Sequence, residues 1–176
     1  MDIRVEVALQ LLASARQYLD TLLDGLTDDD WFWVPNTGLG SGLEPPYCSH
    51  IAWQVGHIAM AEYGLMLFRQ RGRAEVDLEL MPGSFRKRFA KGSAPSSDRT
   101  GYPTPAEIRQ QLDKIHAQVL LEVPGFSIAS LDEPLDPPTA GFPTKYGAML
   151  MASQHEMIHC GQIGVLRRLM GRSPVR

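Results

Sequence analysis

The stretch KYGAMLMASQHEMIHCGQIGVLRRLMG, residues 145–171, carries most of what the sequence says about fold and function. A line through Ala148, Met151, His155, His159, Gln162, Leu166 and Leu169 recurs at threes and fours, the period of one helix face. Thr144 can cap its start, and Gly171 with Pro174 beyond marks its stop, so the spacing predicts a helix running to Met170. Two histidines four apart sit on that line, with no strand alternation around them.

Upstream, the same period predicts three more helices. The first spans about Ile3 to Leu26, with Val7, Leu11, Ala15, Tyr18, Leu22 and Leu26 on one face. Gly25 interrupts it, and Thr27 can cap the short turn Asp28-Asp29-Asp30. The second spans roughly Cys48 to Gln70; its expected stripe is Trp53, Ala61, Gly64 and Phe68, with His57 inside it, His50 on the same line and Gly72 as C-cap. The third opens on a capping box, Thr104 before Pro105 with Glu107 three residues on, and buries Ile108, Leu112, Ile115 and Val119 before Pro124-Gly125 closes it. A Gly- and Pro-containing loop covers 35–46. No period is sustained over 73–103 or 126–143. The expected fold is all-α, a four-helix bundle with two long irregular connections, in one domain over residues 1–176.

Composition narrows the function classes. With 176 residues, 44% hydrophobic and 21% charged, the chain can bury a full core and still face water. A formal net charge of -3 argues against a nucleic-acid binder that works by neutralising phosphates. Cys48 and Cys160 form neither a disulfide framework nor a CxxC metal site. Asp2, Arg4 and Glu6 interrupt any apolar run of a signal peptide, and no stretch reaches the roughly 18 apolar residues of a membrane span. The expectation is a soluble, cytoplasmic protein.

His155 and His159, one turn apart, can offer two nitrogens to one cation. Two desolvated imidazoles side by side cannot both be charged without strong repulsion, and a shared metal removes that difficulty. The alternative is two core histidines satisfied by neighbours or water. HEMIH also fits the HExxH metalloprotease pattern, but no Asp, Glu or His follows His159, so any further ligand must come from upstream. His50 and His57, seven apart, lie about 10 Å apart along a helix axis, so at most one joins the same cation. His57, deeper in its helix and flanked by Gly56, Ala61 and Gly64, is the better third ligand. His50 is expected at a partly exposed helix start, and His116 at the edge of its stripe.

AWQVGHIAMAEYGLML, residues 52–67, and QHEMIHCGQIGVLRRLMG, residues 154–171, resemble the two signature helices of the DinB-like superfamily, which includes the YfiT-type metalloenzymes. The resemblance implies a four-helix bundle in which His57, His155 and His159 hold a divalent metal with open positions for water or substrate. It also implies thiol-dependent transferase or isomerase chemistry, or metal-dependent hydrolysis; a similar domain occurs in ergothioneine-forming sulfoxide synthases.

Three neutral nitrogens suit Zn²⁺ or Ni²⁺ and leave room for catalysis. Glu156 is the nearest candidate base, though a quarter-turn away it can equally reach only a second layer of water or be exposed. Gln54 and Gln162 flank the site as ligand or substrate contacts, or as helix-to-helix hydrogen bonds. Tyr102 and Tyr146 are candidate acids, and Cys160 is expected to pack. The segment 73–103, with Arg86, Lys87 and Arg88, is expected either to form the mouth of the pocket and attract an acidic substrate or thiol, or to be a solvated surface. The functional expectation is a metal-dependent hydrolase or thiol S-transferase acting on a small molecule, with a low-molecular-weight thiol as a candidate cosubstrate. The alternative is a non-catalytic, metal-stabilised bundle that binds a ligand or partner. A homodimer through Val7, Leu11, Tyr18, Tyr63 and Met66 is also expected.

Overall fold

The structure, a computed structural model, describes residues 1–35, 49–93, 95–96, 98–139 and 141–175. Helix α1 (Ile3–Leu23) starts on Asp2, whose carboxylate accepts from the Arg4 N–H. It ends short of Leu26 because Asp24 turns extended and Gly25 takes φ +68°, a conformation glycine adopts without a Cβ clash. Thr27 and Asp30 then form a reciprocal capping box that starts α2 (Asp28–Phe32), which delivers Trp31 and Phe32 to the core.

Helix α3 (Ile51–Glu62) is capped by His50; its expected beginning at Cys48 lies outside the described residues. It continues as a π-helical segment, Tyr63–Phe68, and a last turn, Arg69–Arg71. In the π segment Arg69 N–H donates to the Gly64 carbonyl five residues back. The Gln70 amide donates to the Leu65 carbonyl at 2.7 Å and to Lys145 O at 3.0 Å, which gives these two carbonyls a partner where the turn widens. The expected stripe through Trp53, Ala61, Gly64 and Phe68 is not the buried one. Ile51, Val55, Ile58, Ala59, Leu65 and Leu67 are buried, while Phe68 is 47% exposed. A helix apolar on most sides is a central helix, and a stripe cannot be read from it.

The segment 73–103 contains two short helices, α4 (Asp77–Leu80) and α5 (Gly83–Phe89), which are too short for a helical period to register. Their Leu80, Phe85 and Phe89 are buried, so this connection is part of the core rather than irregular throughout. Helix α6 (Pro105–Glu122) has the expected Thr104 capping box and buries Ile108, Leu112, Ile115 and Val119. After two 3₁₀ turns, Val123–Gly125 and Ile128–Asp132, β1 (Pro134–Thr139) pairs antiparallel with β2 (Phe142–Thr144). This hairpin leaves no pattern in the sequence, since PLDPPT neither alternates nor supplies many N–H donors. Helix α7 (Lys145–Leu169) starts on Thr144, whose hydroxyl accepts from Gly147 N–H.

Among the described residues the molecule is mostly helical, with that one hairpin. Helix α1 packs on α7, α7 on α3, and α3 on α6, while Arg109 of α6 pairs with Asp20 of α1. The buried apolar side chains of all four long helices join one cluster. No helix among the described residues is long and apolar enough to cross a membrane.

On α7 the expected line is buried at Ala148, His159 and Leu166 and half-buried at Met151 and His155, while Gln162 and Leu169 face solvent. The buried face is wider than expected and shifted to one side, taking in Met149, Ala152, Ser153, Glu156, Cys160 and Ile163. Apolar Met157, Ile158 and Val165 lie exposed on the far side, so hydrophobicity alone could not choose the inward face. The surface expected for a dimer is also incomplete, because Met66 is fully buried while Val7 and Leu11 are exposed.

Candidate metal centre

His57 from α3 meets His155 and His159 from α7 where the two helices pack. The ring centroids are 5.1 Å apart for His57 and His155, 5.2 Å for His57 and His159, and 4.6 Å for His155 and His159. One ring nitrogen from each lies within 4.8 Å of the others, a spacing that can hold a metal ion. His57 and His159 are buried, and His155 is the half-buried member on the solvent side. Among the described residues no carboxylate or thiol completes a larger group with them.

The chain fixes which nitrogens are available. His57 Nδ1 lies 2.7 Å from the Phe89 carbonyl oxygen, which can only accept, so Nδ1 carries the proton and Nε2 keeps its lone pair. His159 Nδ1 lies 3.2 Å from Gln54 Oε1. The Gln54 amide nitrogen donates to the Ser49 carbonyl at 3.2 Å, which fixes the amide's orientation and presents its oxygen to His159. Both rings are thus set in the tautomer that frees Nε2, the outer-layer arrangement usual for ligating histidines. The Trp53 indole stacks on His57 at 4.7 Å and 10°, and is itself pinned by a 2.8 Å hydrogen bond to Ser93 Oγ.

Electrostatics keep the three rings neutral. Burial lowers the His57 pKa; burial, with His57 alongside, takes His155 down to about 4; and burial, with both neighbours, takes His159 down to about 3. Neutral imidazoles near pH 7 are the form that ligates metal, so the donor set fits a divalent cation.

Other candidate residues fall elsewhere. Glu156 is 1% exposed and does not join the histidine group. Residue 156 turns about 100° from 155 around the helix, toward α1. There Arg16 Nε donates to its Oε1 at 2.8 Å and Arg16 Nη2 to its Oε2 at 3.3 Å. Arg16 also pairs with Glu62 at 2.5 Å, and Glu62 with His116 Nδ1 at 2.7 Å, which draws α1, α3, α6 and α7 into one buried polar network. His50 is fully buried rather than partly exposed: its Nδ1 accepts from Trp53 N–H at 3.1 Å and its Nε2 donates to Ser96 O at 3.0 Å. Tyr102 packs on His50 and Phe32 with Arg88 over its ring, and Tyr146 lies beneath Arg4. Cys160 is buried, and burial pushes its thiol up to about 12, which leaves it inert as a nucleophile.

The Phe89 carbonyl, Arg16 and Glu62 escaped the sequence reading. A backbone acceptor leaves no mark in residue types. Arg16, however, lies on the line Leu12, Leu19, Leu23, and a charge on a buried helical line is a legible signal.

With this geometry in view, the sequence profile of the DinB superfamily matches residues 11–163. The chain belongs to the DinB superfamily. The match takes in all three histidines of this DinB-superfamily protein, together with Arg16, Gln54, Glu62, Phe89 and Glu156. A search of curated proteins found no match.

Proposed function

We propose that this DinB-superfamily protein is a metal-dependent enzyme in which His57, His155 and His159 hold one divalent cation, zinc or nickel, and which acts on a small molecule by hydrolysis or by transfer to a thiol. The observation that carries the reading is the convergence of three neutral imidazoles with no carboxylate among them within the described residues. Such a donor set leaves the full charge of the cation uncompensated and favours an anionic further ligand. When bound, the cation supplies Lewis acidity, polarising a substrate carbonyl or bringing the pKa of water or a thiol to about 7. The residues of the chain do the rest. Phe89 and Gln54 aim the two buried rings, Trp53 covers one face of His57, and half-buried His155 leaves the site reachable from solvent.

Glu156 is assigned a positioning role: its ion pair with Arg16 fixes the rotation of α7 and so the direction of His155 and His159. The four long helices are read as one four-helix bundle, and the exposed line Ile3, Val7 and Leu11 as the face of a homodimer. The test is turnover of a panel of esters, amides and low-molecular-weight thiols with electrophiles, before and after removal of metal by a chelator and its return. Activity that follows the metal supports the reading. A metal-loaded protein inert to the whole panel favours a metal-stabilised binding module instead.

A further inference from the structure

The π-helical segment of α3 borders a groove of about 330 Å³ against α4 and α5. That volume lies at the lower end of the roughly 300–1,000 Å³ of small-molecule sites. Its apolar lining is Met60, Gly64, Phe68, Leu78 and Met81. Apart from its own chain neighbours and the backbone of its own helix, nothing lies within 4 Å of where a Gly64 Cβ would stand, so the glycine leaves open space there. Phe68 and Leu78 are 47% and 61% exposed, which presents apolar surface to water at the rim.

The charges on the groove are unequal. Asp77 is 2% exposed and already held by Arg71 at 2.8 Å and the Tyr63 hydroxyl at 3.0 Å. Arg73 and Arg86 also line the groove, both are exposed, and neither pairs with a carboxylate among the described residues. An adjoining hollow shares Met60, Gly83 and Arg86 and reaches Lys87 and Ala90, the residue after the carbonyl that holds His57. π-Helical turns are rare and frequently found at functional sites, and this one supplies Tyr63, Gly64 and Phe68 to the lining.

We propose that this groove binds a small amphiphile, its apolar body against Met60, Gly64 and Met81 and its single anionic head, carboxylate or phosphate, taken by Arg73 and Arg86. Binding here does not require the cation at the three histidines, so the two readings stand or fall separately. The probes are octanoate, octyl phosphate and 1-octanol, added to the full chain labelled with ¹³C at the methionine methyls. Met60→Leu and Met81→Leu assign the two relevant signals. Saturable shifts of both signals are expected with octanoate and octyl phosphate, and about tenfold weaker binding of 1-octanol, the effect of one charge-assisted head contact. The relative affinity of the two anions tells which head the arginines prefer. In Arg73→Gln/Arg86→Gln, whose residues are exposed, both anions should fall to the level of octanol while octanol is unchanged. Gly64→Leu, which fills the open space, should weaken all three. Anions that leave Met60 and Met81 unmoved, or that bind the double variant undiminished, overturn the proposal.

Discussion

The carbonyl oxygen of Phe89, at the end of α5, lies 2.7 Å from Nδ1 of His57 in the middle of α3. This contact ties the metal centre to a segment whose sequence carries no helical period. It needs glycine at residue 56: a Cβ there would stand too close to the Phe89 ring for both to keep their places. Gly56→Ala is therefore expected to displace α5 and release the His57 ring. Metal affinity should drop by about 10–100-fold, the usual loss when a ligand's outer hydrogen bond is removed. Competition with a chromophoric chelator measures it, and an unchanged affinity would show that Phe89 does not orient His57.

Glu156 separates a structural from a catalytic account of the HEMIH motif. Its carboxylate and that of Glu62 share the buried guanidinium of Arg16. Removing one partner of a buried pair typically destabilises by about 3–5 kcal/mol, so Glu156→Ala should lower the urea midpoint markedly. Glu156→Gln, which keeps the shape and one acceptor, should lose less and retain turnover. A Glu156→Gln protein of undiminished stability with no turnover would make this residue the base after all.

His50 gives a pH dependence of known sign. Burial takes its pKa from 6.5 down to about 4, and its Nδ1 must stay unprotonated to accept from Trp53 N–H. Well above pH 6.5 neither folded nor unfolded chain protonates it, and nothing is lost. As pH falls toward 4, the unfolded chain takes up a proton that the folded one refuses, so stability declines by up to about 1.4 kcal/mol per pH unit. His50→Asn keeps a good N-cap and removes this contribution. Denaturation curves between pH 7 and 4 should show a shallower decline in the variant; parallel declines would remove His50 as a source.

The sequence disclosed the parts of the fold that depend on local chemistry. The capping box at Thr104, the caps at Thr27 and Thr144 and the interruption at Gly25 lie where side-chain type and position alone decide them. Rotation about the helix axis was legible for α6, which buries the expected Ile108, Leu112, Ile115 and Val119, but not for α3 and only in part for α7. Helix α7 has apolar residues on both sides, and what turns Glu156 inward is Arg16, 140 positions away in the chain. The helices α4 and α5 and the hairpin of β1 and β2 were hidden because their order comes from packing rather than from a periodic pattern. The histidines themselves were legible from a spacing of four and a central position in α3. Their aim, set by a backbone carbonyl and by Gln54, was not.

The central claim is that three imidazoles from two helices form one metal site, and metal content tests it most directly. Protein purified without chelator and analysed by inductively coupled plasma mass spectrometry should carry close to one zinc or nickel per chain. His57→Ala, His155→Ala and His159→Ala should each lose nearly all of it while keeping their helical circular dichroism. A His155→Ala protein with a full complement of metal, or a wild-type chain that takes up neither cation at micromolar concentration, would contradict the account.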